Sequence, residues 1–114
     1  RRTMGFKSIE IYYDIDTIPE VAASVATSGL PRWHEADRAL EFRADAIELI
    51  EDALVGAHAG EWEGAGISRR EVSFGFAVDD FDAAEAIVRK AVTGTRFEHF
   101  REIVRNEFDM VAVA

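Results

Sequence analysis

Cysteine is absent from this chain of 114 residues, and proline and histidine are rare, with two and three copies. Without cysteine there is no disulfide, no thiolate nucleophile and no cysteine-based zinc or iron–sulfur site. Apolar runs are only a few residues long, so none can span a bilayer, and no apolar segment follows the basic start to make a secretory signal. We expect a cytoplasmic protein without a metal or a cofactor.

Ordinary globular composition is what remains, with 48% hydrophobic and 31% charged residues. This content and length predict a single α+β domain over residues 1–114. Residues 1–5 are expected to be disordered or partly foreign to the natural chain, with Arg1 to Thr3 as the added residues and Met4 as the native start. The apolar end, which includes Val111 and Val113, suggests that the sequence stops short of the natural terminus.

Charge is strongly unbalanced, because 22 Asp and Glu face 13 Lys and Arg, which gives a net charge of −9. Residues 36–66 alone carry a net −6, with only Arg38 and Arg43 as cations. Such a surface repels phosphates, so neither nucleic acid nor an anionic membrane is an expected partner. It serves solubility in general, and it also suits a basic protein partner.

The first segment predicts a β-strand from Phe6 to Asp16, because apolar and polar residues alternate along it. One predicted face carries Ile9, Ile11, Tyr13 and Ile15, and the other carries Ser8, Glu10, Tyr12 and Asp14. Thr17, Pro19 and Glu20 then have the spacing of a capping box, which predicts a helix that ends at Gly29.

A longer helix is predicted between Glu35 and Ala57. Its exposed face is marked by charged residues three and four apart: Arg38, Glu41, Asp45, Glu48 and Asp52. Its buried face is predicted to hold Leu40, Ile47, Ile50 and Leu54, flanked by Phe42, Ala46, Leu49 and Ala53. The glycine-rich segment 60–67 follows and predicts a strand with a bend or bulge.

Two further strands and a helix complete the pattern. Residues 71–79 predict a strand with alternating large apolar and small residues, and Asp79 and Asp80 then cap a helix that stops at Gly94. Thr95 and Glu98 form a further capping box, which predicts at least one more helical turn. Residues 101–107 fit both helical and strand spacing, so that choice stays open, and a final strand is expected near the end of the chain.

This order predicts a β-α-β-β-α-β fold of the ferredoxin-like type, with a four-stranded antiparallel sheet and helices on one face. The bare face would then display Glu10, Tyr12 and Asp14, while Glu61, Trp62 and Glu63 lie on an adjoining strand. Carboxylates stand where RNA-binding sheets carry cations, so this face is not expected to bind RNA. We predict these six residues as the binding site for a protein partner, which is either a second copy or a basic protein.

Catalytic patterns are weak. His34 lies in a connector, His58 and Glu61 are separated by a helix-breaking glycine, and His99 with Glu102 supplies two metal ligands at most. The Gly64 and Gly66 pair precedes a strand and not a helix, so it is not a phosphate loop. No catalytic residue and no metal site are therefore predicted.

The sequence favours a non-enzymatic acidic protein-binding module, of the kind that inhibits or confers immunity to a basic toxin. One alternative is a small-molecule enzyme or ligand-binding protein of the dimeric α+β-barrel type, with a pocket between sheet and helices that uses His34, Trp33 or Tyr13. The other is a structural homodimer, since the small residues Gly75 and Ala77 let a second sheet approach closely.

Overall fold

Four strands and two α-helices make up the computed structural model, which describes residues 3–18, 32–67 and 71–111. In chain order they are β1 (Thr3–Asp14), a single 3-10 turn (Ile15–Thr17), α1 (Arg32–Gly56), β2 (Gly60–Ile67), β3 (Glu71–Val78), α2 (Phe81–Val92) and β4 (Glu102–Val111). The helix predicted over residues 17–29, the turn at 68–70 and the last three residues lie largely or wholly outside the described ranges. Within those ranges no helix is long and apolar enough to cross a membrane.

The strands form one antiparallel sheet in the order β2-β3-β1-β4. β1 lies in the centre, with Ile9 opposite Phe76 of β3 and opposite Arg105 of β4. Non-neighbouring strand order of this kind arises when each helix crosses over the sheet between two strands. The predicted α+β fold with a four-stranded antiparallel sheet is confirmed, and its topology is that of a ferredoxin-like sandwich.

Both helices pack on one side of the sheet, where a single apolar core lies. β1 and β3 contribute alternate residues to it, because side chains on a strand point in turn to opposite faces. The core residues from β1, β3 and the two helices are Ile9, Ile11, Tyr13, Val72, Phe74, Phe76, Val78, Ala39, Phe42, Ala46, Ile50, Leu54, Ala84, Val88 and Val92. The opposite face of the sheet has no described element over it, and we call it the open face.

The buried stripe of α1 differs from the predicted one by a small rotation of the helix. The charged face is exposed as predicted, but Leu40 is 39% exposed whereas Phe42 is only 2% exposed. Phe42 packs edge-on against Tyr13, with ring centroids 5.0 Å apart, and against Phe97 at 5.1 Å. Packing against Tyr13 of β1 therefore accounts for the burial of Phe42, and with it for the side of α1 that faces the sheet.

Asp80 caps α2, because its Oδ1 accepts a hydrogen bond from the backbone N–H of Ala83 at 2.9 Å. We expect Asp80→Ala to lower the free energy of unfolding by about 1 kcal/mol, since one N–H at the helix start loses its acceptor. Asp79→Ala is the matched control, because Asp79 is exposed and makes no such bond among the described residues. Chemical denaturation of both variants measures the difference, and equal losses would contradict the capping role.

The prediction of a further helical turn after Gly94 is wrong, because the chain there forms a non-helical turn. Gly94 adopts a φ of 79°, the left-handed conformation suited to glycine just past a helix. Thr95 then uses its hydroxyl twice, donating to the Val92 carbonyl at 2.6 Å and accepting from the Phe97 N–H at 3.1 Å. These bonds hold the chain in a turn, and the ambiguous segment beyond it is strand β4.

Candidate binding face

The open face carries an excess of negative charge. By the strand registers, six described carboxylates point to it: Glu10, Asp14, Glu61, Glu63, Glu71 and Glu102. Among the described side chains, Arg101 at the start of β4 is the cation that lies against them. Carboxylates of like charge on one surface raise the local negative potential, which attracts cationic groups.

Glu10 is held in place at the centre of this face. Its Oε2 accepts a hydrogen bond from the Tyr12 hydroxyl at 2.9 Å, and its Oε1 accepts one from the Asn106 side-chain amide at 2.6 Å. The bond with Glu10 is also the main reason why the pKa of Tyr12 is raised above its usual value. Donors from two strands thus fix the Glu10 carboxylate before any ligand arrives.

A β-bulge brings a second carboxylate next to it. β2 pairs with β3 in regular register up to Trp62 and resumes at Gly64, so Glu63 is the extra residue. The Glu63 carboxylate lies over Gly75, where a Cβ built on the glycine would be 3.8 Å from Glu63 Oε2 and 3.5 Å from Glu10 Cγ. Glu10 and Glu63 therefore flank the same glycine from opposite sides.

Between them is an open cavity of about 410 Å³. It is lined by residues from all four strands: Ser8, Glu10, Glu63, Gly64, Ala65, Ser73, Phe74, Gly75 and Asn106. Gly75 has no side chain and forms the floor of the cavity. Glu10 of β1 and Glu63 of β2 have long side chains on either side of it, and they form the walls. Polar acceptors and small residues line this space, which suits a ligand that donates hydrogen bonds.

Arg101 occupies the neighbouring end of the open face. Its guanidinium binds Asp14 at 2.7 Å and Glu71 at 2.8 Å, and it lies over the Tyr12 ring, 5.3 Å from the centroid. The hydrogen bonds with Glu71 and Asp14 raise the pKa of Arg101 further above its usual value. Asp14 is thus engaged in an ion pair within the protein, whereas Glu10 and Glu63 at the cavity have no ion-pair partner among the described residues.

The predicted site residues separate into two groups. Glu10 and Glu63 meet at the cavity, with Tyr12 and Asp14 beside it, and Glu61 lies further along β2 opposite Ala77. Trp62 does not join them, because it is opposite Phe76 and so lies on the side of the sheet that carries the helices, 48% exposed at the edge. One shared surface therefore holds five of the six residues.

Of the residues named for an enzymatic alternative, Tyr13 is the one whose side chain the structure describes. Tyr13 is 2% exposed within the core, and its hydroxyl donates to the Phe97 carbonyl at 2.6 Å. Burial raises the pKa of Tyr13. The side chains of Trp33 and His34, in the first turn of α1, lie outside the described part of the structure. Groups of three or more metal-binding side chains do not occur among the described residues.

Arg105 does not reach the carboxylates of the open face. It lies opposite Ile9 and so on the helix side of the sheet. There it binds Asp82 and Glu85 of α2. This ion-pair cluster ties β4 to α2, and the described residues that line the cavity include no Lys or Arg.

Comparison of this chain with models of known protein families, with curated proteins and with solved structures gives no match. The geometry of the open face therefore carries the functional inference alone.

Sequence reasoning missed two residues of the cavity, Ser73 and Asn106, as functional groups. In the sequence Ser73 is one of the small residues that alternate with large apolar ones, and Asn106 lies in the segment that fits both helical and strand spacing. The signal that could have found Asn106 is the strand alternation of β4, since Asn106 is the cross-strand partner of Ser8.

Proposed function

We propose that this protein is a non-enzymatic binding module that recognises a basic protein through its open face, as an inhibitor or immunity-type protein would. The observation that carries the proposal is the cavity with Glu10 and Glu63 on either side of Gly75, surrounded by further carboxylates. Complementary charge accelerates association and selects partners. A partner with exposed arginine or lysine residues matches this surface in sign.

The same charges disfavour a face-to-face homodimer. Two copies stacked sheet against sheet would bring the six described carboxylates of each face together, and among the described side chains Arg101 is the cation that offsets them. The cost of placing like charges opposite each other rises when water is excluded. Small residues such as Gly75 and Ala77 would allow close approach of a second sheet, but the electrostatics favours a cationic partner.

A binding experiment with an arginine–glycine alternating peptide tests the proposal. We expect the double variant Glu10→Gln with Glu63→Gln to bind the peptide about tenfold or more weakly, because two carboxylates at one site lose their charge. We also expect the affinity of the wild-type protein to fall steeply between 50 and 300 mM salt, on the order of tenfold, because screening weakens exposed charge pairs. Isothermal titration calorimetry measures both effects.

Glu48→Gln together with Asp52→Asn is the matched control. Both residues are exposed on α1, away from the open face, and the double variant loses the same two negative charges. We expect less than a twofold change in affinity for it, since distant exposed charges are screened. Equal weakening by both pairs, or binding insensitive to salt, would contradict the proposal.

The alternative of a small-molecule protein of the dimeric α+β-barrel type predicts a different result. In that case a second copy would pack on the open face, the ligand would bind between the sheet and the helices, and the protein would be dimeric at micromolar concentration. Sedimentation analysis at several concentrations separates the two proposals. A stable dimer that masks Glu10 and Glu63 would favour the alternative.

A further inference from the structure

The Ser8 hydroxyl is a buried polar group with no hydrogen-bond partner among the described residues. Ser8 is 3% exposed, lies on the same side of β1 as Glu10 and lines the cavity. Within the described part of the chain, no hydrogen bond is made by its side chain. A buried hydroxyl that lacks a partner costs free energy, so such groups in native proteins usually have a role that supplies one.

The other cavity groups also present acceptors. Glu10 accepts two hydrogen bonds from within the protein, but a carboxylate has sites for about four, so it can accept more. Glu63 has no described hydrogen-bond or ion-pair partner. The Asn106 amide group, which could have served an anion as a donor, is already used by Glu10. The carboxylates of Glu10 and Glu63 only accept hydrogen bonds, and the Ser8 hydroxyl can accept too, so a ligand that bridges them brings several donors and a positive charge.

A guanidinium group fits these demands better than an ammonium group or a metal ion. It is planar and carries five N–H donors in a fixed fork, so it can bind two carboxylates and a hydroxyl at once. A metal ion would find two carboxylates only, and the described residues contain no group of three acidic or histidine ligands. An ammonium group has three donors on one nitrogen and cannot span both carboxylates in the same way.

We infer that the cavity over Gly75 receives an arginine side chain of the basic partner, with its guanidinium between Glu10 and Glu63 and an N–H donated to the Ser8 hydroxyl. The inference rests on the proposed function and names the group that the module recognises. Gly75 is essential to it, because an added Cβ would project into the space between the two carboxylates. Arginine is thereby distinguished from lysine by geometry rather than by charge.

Two peptides of equal charge test this inference: the arginine–glycine peptide and the same peptide with lysine in place of arginine. We expect the wild-type protein to bind the arginine peptide about tenfold more tightly, since a guanidinium held by two carboxylates makes hydrogen bonds that a single ammonium nitrogen cannot. A third peptide with citrulline, which keeps the shape but not the charge, is expected to bind at least as weakly as the lysine peptide.

Two variants then connect the preference to the cavity. We expect Gly75→Ala and, separately, Ser8→Ala to reduce the arginine-over-lysine preference to about twofold or less, since each removes one determinant of guanidinium binding. Gly75→Ala also brings the new Cβ to 3.3 Å from the Ile9 carbonyl, a tight contact. Ser8→Ala introduces no atom and tests the inference without that contact. Gly56→Ala, where a Cβ meets nothing within 4 Å, is the control.

The outcomes separate the two levels of the proposal. If both peptides bind equally in the wild-type protein, or if the preference survives in Ser8→Ala and Gly75→Ala, the arginine inference is wrong while binding of basic partners stands. If neither peptide binds, or binding does not depend on Glu10 and Glu63, both fall. Amide chemical shifts of Ser8 and Gly75 in the titrated wild-type protein give a second readout, and they are expected to move with the arginine peptide.

Discussion

Phe42→Ala will lower the free energy of unfolding by about 3–5 kcal/mol, the usual cost of truncating a buried phenylalanine. Phe42 joins α1 to the sheet and to the segment after α2, through its ring contacts with Tyr13 and Phe97. Alanine in its place would leave a cavity where three parts of the fold meet. Denaturation with urea, followed by circular dichroism, measures the loss.

Leu40→Ala is the matched control on the same helix. Leu40 is 39% exposed, so the change removes little buried surface, and alanine has a helix propensity at least as high as leucine. We expect a loss below about 1 kcal/mol. A larger loss of stability for Leu40→Ala than for Phe42→Ala would mean that Leu40, which the sequence predicts on the buried face of α1, lies deeper in the core than Phe42.

Tyr13→Phe should cost about 1–3 kcal/mol, although it removes a single oxygen atom. The lost hydroxyl donates to the Phe97 carbonyl at 2.6 Å in the core, and the carbonyl would stay buried without that donor. Tyr12→Phe removes the equivalent atom on the half-buried open face, where solvent can replace the bond, so we expect a smaller loss of stability there. Comparable losses for the two variants would contradict the role given to the Tyr13 hydroxyl.

Alkaline pH offers an independent check on Tyr13. Burial raises the pKa of Tyr13 in the folded protein, while an unfolded tyrosine titrates near pH 10. Above about pH 10 the unfolded state releases this proton before the folded state does, so stability falls as pH rises. Tyr13→Phe lacks this contribution. The stability difference between wild type and Tyr13→Phe should therefore narrow above pH 10, in denaturation measured from pH 8 to pH 11.

The fold was largely predictable because local patterns agreed with one another. Alternation in β1 and β3, and the capping residue Asp80, are determined by neighbours in the sequence. Segment 101–107 was ambiguous because its apolar spacing fits two periods. Pairing with β1 decides it, for instance through the bond from the Arg101 N–H to the Tyr12 carbonyl at 2.7 Å. That contact spans 89 residues of chain and has no local signature.

The candidate site was predictable in part for the same reason. Alternation along β1 placed Glu10 and Tyr12 on one face from the sequence alone. The position of Trp62 depends on the register of β2 with β3, and the orientation of Glu63 depends on the residue at which the bulge occurs. Several glycines in β2 allow a bulge, so the sequence did not identify its position.

The bulge at Glu63 also bears on solubility. β2 is an outermost strand, and a regular outermost strand offers unpaired backbone groups on which a foreign chain can add and begin fibril growth. An extra residue twists the backbone and breaks the repeat of those groups, while Glu61 and Glu63 add repulsion against any incoming copy. The bulge that orients the Glu63 carboxylate toward the cavity thereby also protects strand β2 from amyloid-like polymerisation.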